Sequence, residues 1–215
     1  MIIALNEEEL AVACHKLSEM DDDFAFIFQR FGKPPLWARE PGFATLVHII
    51  LEQQVSLASA KSAFDKLVKY VEILTPENFL KLNGTELKAV GFSRQKTGYA
   101  RGLAEAILNE KINLKGLESL PDELVKAELK KLKGIGDWTS DIYLLMALLR
   151  PDVMPKGDLA LHVAFQKLKS LELRPTSDEF LLIAEKWKPF RAVAARLLWH
   201  FYLSARNSKL QLPNS

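Results

Sequence analysis

The sequence predicts an all-α fold of about ten helices, the number expected from the average helix length in globular proteins. Three observations carry that prediction. Apolar residues recur at helical spacing in five stretches, helix-start signals precede further segments, and no alternating run is long enough for a strand. The first stripe is Phe43, Leu46, Val47, Ile50 and Leu51, which lines one face of a helix. Ala60, Ala63, Phe64, Leu67, Val68 and Val71 form the second. Thr75-Pro76-Glu77 and Leu120-Pro121-Asp122-Glu123 then place proline and acids in first helical turns. Ile142, Leu145, Met146 and Leu149 make a third stripe, and Leu161, Ala164, Phe165 and Leu168 a fourth. Ser177-Asp178-Glu179 opens another helix, and Val193, Ala194, Leu197, Leu198 and Phe201 complete the series. Breaks fall near residue 40, at Pro34-Pro35 and Glu40-Pro41-Gly42, and at Arg150-Pro151 through Pro155-Lys156-Gly157. Residues 207–215, from Asn207 to Ser215, are polar and are expected to fray.

The chain has 215 residues, 48% of them hydrophobic, enough for one domain or two small lobes with a proper core. Its apolar runs are short and broken by charge, so no membrane span is expected. Met1 to Leu5 runs at once into Glu7, Glu8 and Glu9, without a basic leader, and a soluble intracellular protein is the expectation. One cysteine, Cys14, excludes a disulfide framework, a four-cysteine iron–sulfur cluster and a four-cysteine zinc finger. The histidines (His15, His48, His162, His200) form no metal-ligand pair. The net charge of +2 is unevenly spread. Residues 1–30 hold seven acids against Lys16 and Arg30, leaving 27 basic and 20 acidic residues elsewhere. A moderately basic body suits a polyanion on one face.

The most informative stretch runs from Leu129 to Ser140 and joins two amphipathic helices. Gly134 and Gly136 flank Ile135, so a tight turn with positive φ is available while Ile135 plugs the core. The second helix then presents N–H groups at its start, which suits a phosphate, with Lys130, Lys131 and Lys133 alongside. A plain helix–turn–helix corner with a glycine cap has the same outline. Asp137 at that helix start competes with phosphate for the amides and is read as a cap of the second helix.

About twenty residues on, Asp158 follows Pro155-Lys156-Gly157 and opens an apolar helix. Asp is a favoured N-cap, so a structural role is one reading and a catalytic carboxylate the other. Ser93-Arg94-Gln95-Lys96 and Lys96-Thr97-Gly98 mimic penicillin-binding motifs, but they overlap on Lys96 and are rejected. Asp21-Asp22-Asp23 lacks the rest of a calcium loop and reads as a solvated face.

The stretch L-x-x-L-x-G-I-G-x-W-T resembles the DNA-binding hairpin of the helix-hairpin-helix glycosylase superfamily. Asp158 stands where that family carries its catalytic Asp. Three further segments resemble the branch of 3-methyladenine DNA glycosylase II: Phe43-Ala44-Thr45-Leu46-Val47 through Leu51-Glu52-Gln53-Gln54-Val55-Ser56, Val90-Gly91-Phe92-Ser93 to Lys96, and Trp187-Lys188-Pro189-Phe190-Arg191. The resemblance covers residues 34–205 and implies a base-excision enzyme that hydrolyses the N-glycosidic bond of flipped alkylated purines such as 3-methyladenine or 7-methylguanine. Two alternatives stay open: a glycosylase of the same superfamily for oxidised or deaminated bases, and a non-catalytic DNA-binding module.

The resemblance also implies roles. Asp158 is the catalytic anion. Trp138 lies where lyases of the superfamily carry a Schiff-base lysine, so a monofunctional hydrolase is expected. Trp138 then lines the base pocket, or is an ordinary core tryptophan. Gln54, with Gln53 as the alternative, is the wedge that fills the gap left by the flipped base; both also read as solvated helix-end residues. Gly134, Ile135, Gly136, Thr139 and Lys133 form the phosphate-binding hairpin. The carbonyls of Lys130, Leu132 and Ile135 are the implied ligands of a monovalent cation, Na+ or K+, and no other cofactor is expected.

The expected architecture is a single glycosylase unit over 1–215 in two helical lobes. Lobe A spans 43–150 and contains the hairpin at 124–149; lobe B combines 1–42 with 151–206. Asp158 is expected in the cleft between them. The N-terminal β-domain of larger bacterial relatives is expected to be absent. The implied partner is damaged double-stranded DNA, with no membrane, acting as a monomer in the cytoplasm of a prokaryote or the nucleus of a eukaryote.

Overall fold

The computed structural model describes residues 4–207. Residues 208–215, where most of the frayed tail was placed, lie outside the described residues, and Asn207 still belongs to the last helix. Among the described residues there are twelve α-helices, two short 3-10 helices and no strand. The helices are α1 (Glu7–Met20), α2 (Asp22–Phe31), α3 (Phe43–Glu52), α4 (Leu57–Val71), α5 (Pro76–Lys81), α6 (Gly84–Val90), α7 (Arg94–Leu108), α8 (Asp122–Lys130), α9 (Asp137–Met146), α10 (Leu159–Leu168), α11 (Ser177–Ala184) and α12 (Arg191–Asn207). The chain divides into two compact units. One combines the segment up to Ala38 with the segment from Leu149 onward; the other is Arg39–Leu148.

In the first unit α12 is the central element and packs on α1, α2 and α10. Its inward face, with Val193, Ala194, Leu197, Leu198 and Phe201, is buried. Capping boxes start α1 (Asn6 with Glu9) and α11 (Thr176 with Glu179), each satisfying helix-end N–H groups reciprocally. The acidic triplet at 21–23 is not a simple solvated face. Asp21 caps α2, accepts the Trp187 Nε1–H at 3.0 Å and pairs with Lys186. Its partners hold the carboxyl below the usual range against the opposing effect of burial. Cys14 is fully buried on α1, and burial pushes its thiol up to about 12. Arg196 is also fully buried. It donates from Nε to the Leu36 carbonyl at 3.0 Å, and burial pulls its pKa down to about 10.

In the second unit α3 packs on α4, α7 and α9. Its residues Leu46, Val47, Ile49 and Ile50 are fully buried, so the helix is apolar well beyond one stripe. Thr75 caps α5 with proline in its first turn, and Asn83 with Glu86 forms a capping box on α6. The Tyr143 hydroxyl accepts the Gly42 N–H at 3.1 Å and so ties the start of α3 to α9.

Candidate active site and nucleic-acid interface

Asp158 stands at the N-cap of α10 and is 8% exposed. Its Oδ1 accepts the Leu161 N–H at 3.0 Å, the ordinary bond of a helix cap. The same oxygen accepts the Trp199 Nε1–H at 3.1 Å, from a residue 41 positions away on α12. A cap needs the first bond and not the second. Hydrogen bonds to an ionised group contribute about 1.5–3 kcal/mol each, enough to fix the orientation of one carboxylate oxygen.

The loop that delivers Asp158 is anchored as firmly. Arg191 donates to Asp152 from Nε at 2.8 Å and from Nη2 at 3.0 Å, a bidentate pair, and the Ala192 N–H reaches the Pro151 carbonyl at 2.9 Å. Val153 and Met154 are buried, and Gly157 turns the chain with φ +75° just before the carboxylate. Trp199 meets Trp37 edge to face, with ring centroids 6.2 Å apart. Trp37 itself has φ +51°, held by the bond from Arg196 to the preceding carbonyl. Sequence reasoning missed Trp37 and Trp199; nothing in the local pattern of either marks it.

The second unit carries the hairpin. α8 and α9 are joined by a turn in which Gly134 has φ +91°. A Cβ there would lie 2.1 Å from the Tyr99 ring, so the turn rests directly on that ring and admits only glycine. Ile135 is buried as expected, and its N–H donates to the Leu132 carbonyl at 3.1 Å. Gly136 caps α9 in extended conformation and offers no side chain to the helix end. Asp137 is therefore not the cap. It is the first helical residue, and its carboxylate pairs with Lys130 at 2.5 Å. Lys133 is exposed beside the turn, and Trp138 is half-buried in the first turn of α9. Asp141, inside α9, is 1% exposed and paired with Lys126 at 2.8 Å, which makes it a clamp between α8 and α9. The Leu132 carbonyl accepts the Ile135 N–H and, like any carbonyl oxygen, keeps a second lone pair that a cation could use.

Thr139 and Gln53 are bonded to one another. Thr139 is only 2% exposed, and its hydroxyl accepts from Gln53 Nε2 at 3.0 Å. Gln53 Nε2 also donates to the Gly134 carbonyl at 2.8 Å, so its amide is committed to the hairpin. Gln54 is the exposed member of the pair and adopts φ +57°. A left-handed conformation costs a non-glycine residue about 1–2 kcal/mol, and the flanking anchors sustain it. On one side Arg39 grips Glu52 through two bonds of 2.9 and 2.6 Å; on the other, Ser56 caps α4.

The profile of the HhH-GPD superfamily base excision DNA repair proteins matches residues 47–190. The DNA-3-methyladenine glycosylase 1 of Schizosaccharomyces pombe is 32% identical over 205 residues, which cover 90% of this chain and 90% of that protein. An alkylbase DNA glycosidase-like protein of the same organism is 28% identical over 191 residues, covering 85% and 89%. Among solved structures, the 3-methyladenine DNA glycosylase of Schizosaccharomyces pombe in complex with abasic DNA has a TM-score of 0.83 at 25% identity, over 93% of this chain and 99% of that one.

Proposed function

Because the chain belongs to the HhH-GPD superfamily of base excision DNA repair proteins, we propose that it excises alkylated purines such as 3-methyladenine or 7-methylguanine from damaged double-stranded DNA, as a monofunctional glycosylase with Asp158 as its catalytic anion. The observation that carries this reading is the second donor on Asp158 Oδ1, the indole N–H of Trp199, which a helix cap does not require. The names of the relatives support the substrate class.

The chemistry asks for one carboxylate. A purine methylated on a ring nitrogen already carries positive charge. When the bond from C1′ to the base nitrogen breaks, its electron pair discharges the base, and no general acid is needed to help it leave. The sugar becomes an oxocarbenium ion, and a fixed anion stabilises it. Water then adds its oxygen to C1′, and its proton passes to the carboxylate or to solvent. Trp138 supplies a flat aromatic face for stacking and cation–π attraction to an electron-poor base.

Phosphate binding falls to the unit Arg39–Leu148, which also carries Trp138. The backbone at Gly134, Ile135 and Gly136, with Lys133, holds the DNA phosphates. A monovalent cation, when bound, would lie on the carbonyls of Lys130, Leu132 and Ile135 and lend its charge to the same contact. Gln54 enters the gap in the base stack. No helix among the described residues is long and apolar enough to cross a membrane. The protein acts as a monomer wherever the genome is kept.

The test is base release from methylated duplex DNA, with strand nicks scored before and after alkali. Free 3-methyladenine or 7-methylguanine with nicks only after alkali is the expected result. Nicks before alkali would overturn the monofunctional assignment, and no release of alkylated bases would overturn the substrate.

A further inference from the structure

The segment Val90 to Lys96 and the side chain of Gln53 have no part in the mechanism above, yet both converge on the loop that carries Gln54. Lys96 donates from Nζ to the carbonyl of Leu51 at 2.7 Å. That carbonyl lies in the last turn of α3, where intrahelical partners run out and a cation is favoured by the helix dipole. Burial lowers the Lys96 pKa, in keeping with an ammonium drawn out of water to reach it. Tyr99 stands three residues further along α7, on the same face as Lys96. Its ring is the surface on which Gly134 rests. One helix therefore seats the root of the loop and the turn of the hairpin together. Gln53 closes the circuit. Both of its bonds, to the Gly134 carbonyl and the Thr139 hydroxyl, run from the loop to the hairpin.

Resting on the reading of Gln54 as the gap-filling residue, we infer that Gln53 and Lys96 are positioning residues that set the offset between the wedge and the phosphate-holding turn. In a duplex of given form the helical geometry confines the distance from a phosphate to its neighbouring base step to a narrow range. A protein that grips one and enters the other must match that distance. A misplacement of about 1 Å can cost on the order of a hundredfold in rate. The backbone of the Gln54 loop does not supply the match unaided, because its left-handed residue needs restraint from both sides.

The experiment is a double-mutant cycle with Gln53→Leu and Gln54→Ala in the full chain. The first readout needs no catalysis: the fluorescence of 2-aminopurine beside a tetrahydrofuran abasic analogue in duplex DNA, which reports wedge insertion. The second is single-turnover base release from methylated duplex. Each single variant is expected to abolish most of the fluorescence response and to slow release by roughly ten- to a hundredfold. The double variant is expected to be no worse than the poorer single one. Affinity for undamaged duplex stays within about twofold, a ratio well under the tenfold that 1.4 kcal/mol would give.

Lys96→Met is expected to behave as Gln53→Leu does, and Lys96→Arg, which keeps a donor, to restore the response. This pair carries the test should Gln53→Leu fail to fold. Multiplicative effects in the cycle would overturn the inference, as would a matching loss of affinity for undamaged DNA or an insertion signal unchanged in Gln53→Leu and Lys96→Met. Absence of base release from the wild type, with the fluorescence pattern intact, would instead overturn the proposed function and leave this inference standing.

Discussion

Asp158 is held by donors to its side chain, whereas the hairpin turn from Gly134 to Gly136 is held by what touches its backbone. In the first unit the atom proposed to do the work is a carboxylate oxygen, and indole and amide N–H groups hold it. In the second the groups proposed to work are main-chain atoms, and a tyrosine ring shapes their path. The difference separates two kinds of vulnerability. Chemistry in the first unit can be removed by exchanging an atom without moving the chain. The turn's own share of binding in the second resists most such exchanges, because every residue type but proline offers the same N–H and C=O. It is lost only when the path of the backbone changes.

Three substitutions sharpen the contrast, in order of expected size. Asp158→Asn keeps shape and removes charge. Single-turnover release should fall by on the order of a hundredfold or more, the scale of losing one electrostatic stabiliser. Affinity for an abasic-analogue duplex should stay close to wild type. A variant that retained full release would leave Asp158 as a helix cap and nothing more.

Gly134→Ala should differ in its effect on affinity. The added methyl meets the Tyr99 ring and the residue must hold φ +91°, so the turn has to shift. Affinity for damaged and undamaged duplex alike should fall by about tenfold or more, which corresponds to about 1.4 kcal/mol. The release rate at saturating DNA should fall as well, by no more than in Gln53→Leu, because a shifted turn also changes its offset to the Gln54 loop. A collapsed rate with unchanged affinity would erase the distinction between the two units.

Trp199→Phe keeps an aromatic ring and deletes one donor. Release should slow by about tenfold, the lower end of what a hydrogen bond to an ionised group contributes. Binding should not change. Equal rates for the variant and the wild type would mean that the indole N–H is not needed to aim the carboxylate.

Local features of the site were legible in the sequence; features that depend on distant contacts were not. The hairpin could be read because a glycine pair, an aliphatic plug and flanking amphipathic helices are consecutive. Asp158 could be read as a helix start because its cap is local, and the family resemblance added the chemistry. Trp199 could not, since it lies 41 residues from the oxygen it serves and sits in a stripe of core residues. The choice between Gln53 and Gln54 depends on a backbone twist at one residue and on partners 81 and 86 positions away. Asp137 was read as a cap because carboxylates favour helix starts. The structure gives that place to Gly136, and the carboxylate turns to Lys130. Helices α1 and α7 carried no clear stripe because their buried faces lean on small residues, Ala13 and Cys14 in one, Ala100, Ala104 and Ala106 in the other. Such side chains bury well and contrast little with their neighbours in hydropathy. The helix count consequently rose from about ten, the sequence-based figure, to twelve α-helices.

The lone cysteine carries one more consequence. A thiol reacts as its thiolate, and Cys14, fully buried and pushed up to about 12, holds almost none at neutral pH. A protein whose work lies among methylated bases meets the same electrophiles that methylate them, and a free thiolate is the softest target a chain offers. Here the target is withheld by the packing of α1. The reagent has to wait for that helix to come away, so the speed at which it modifies the protein measures how often the unit opens. The chain thus carries a single built-in clock for its own unfolding.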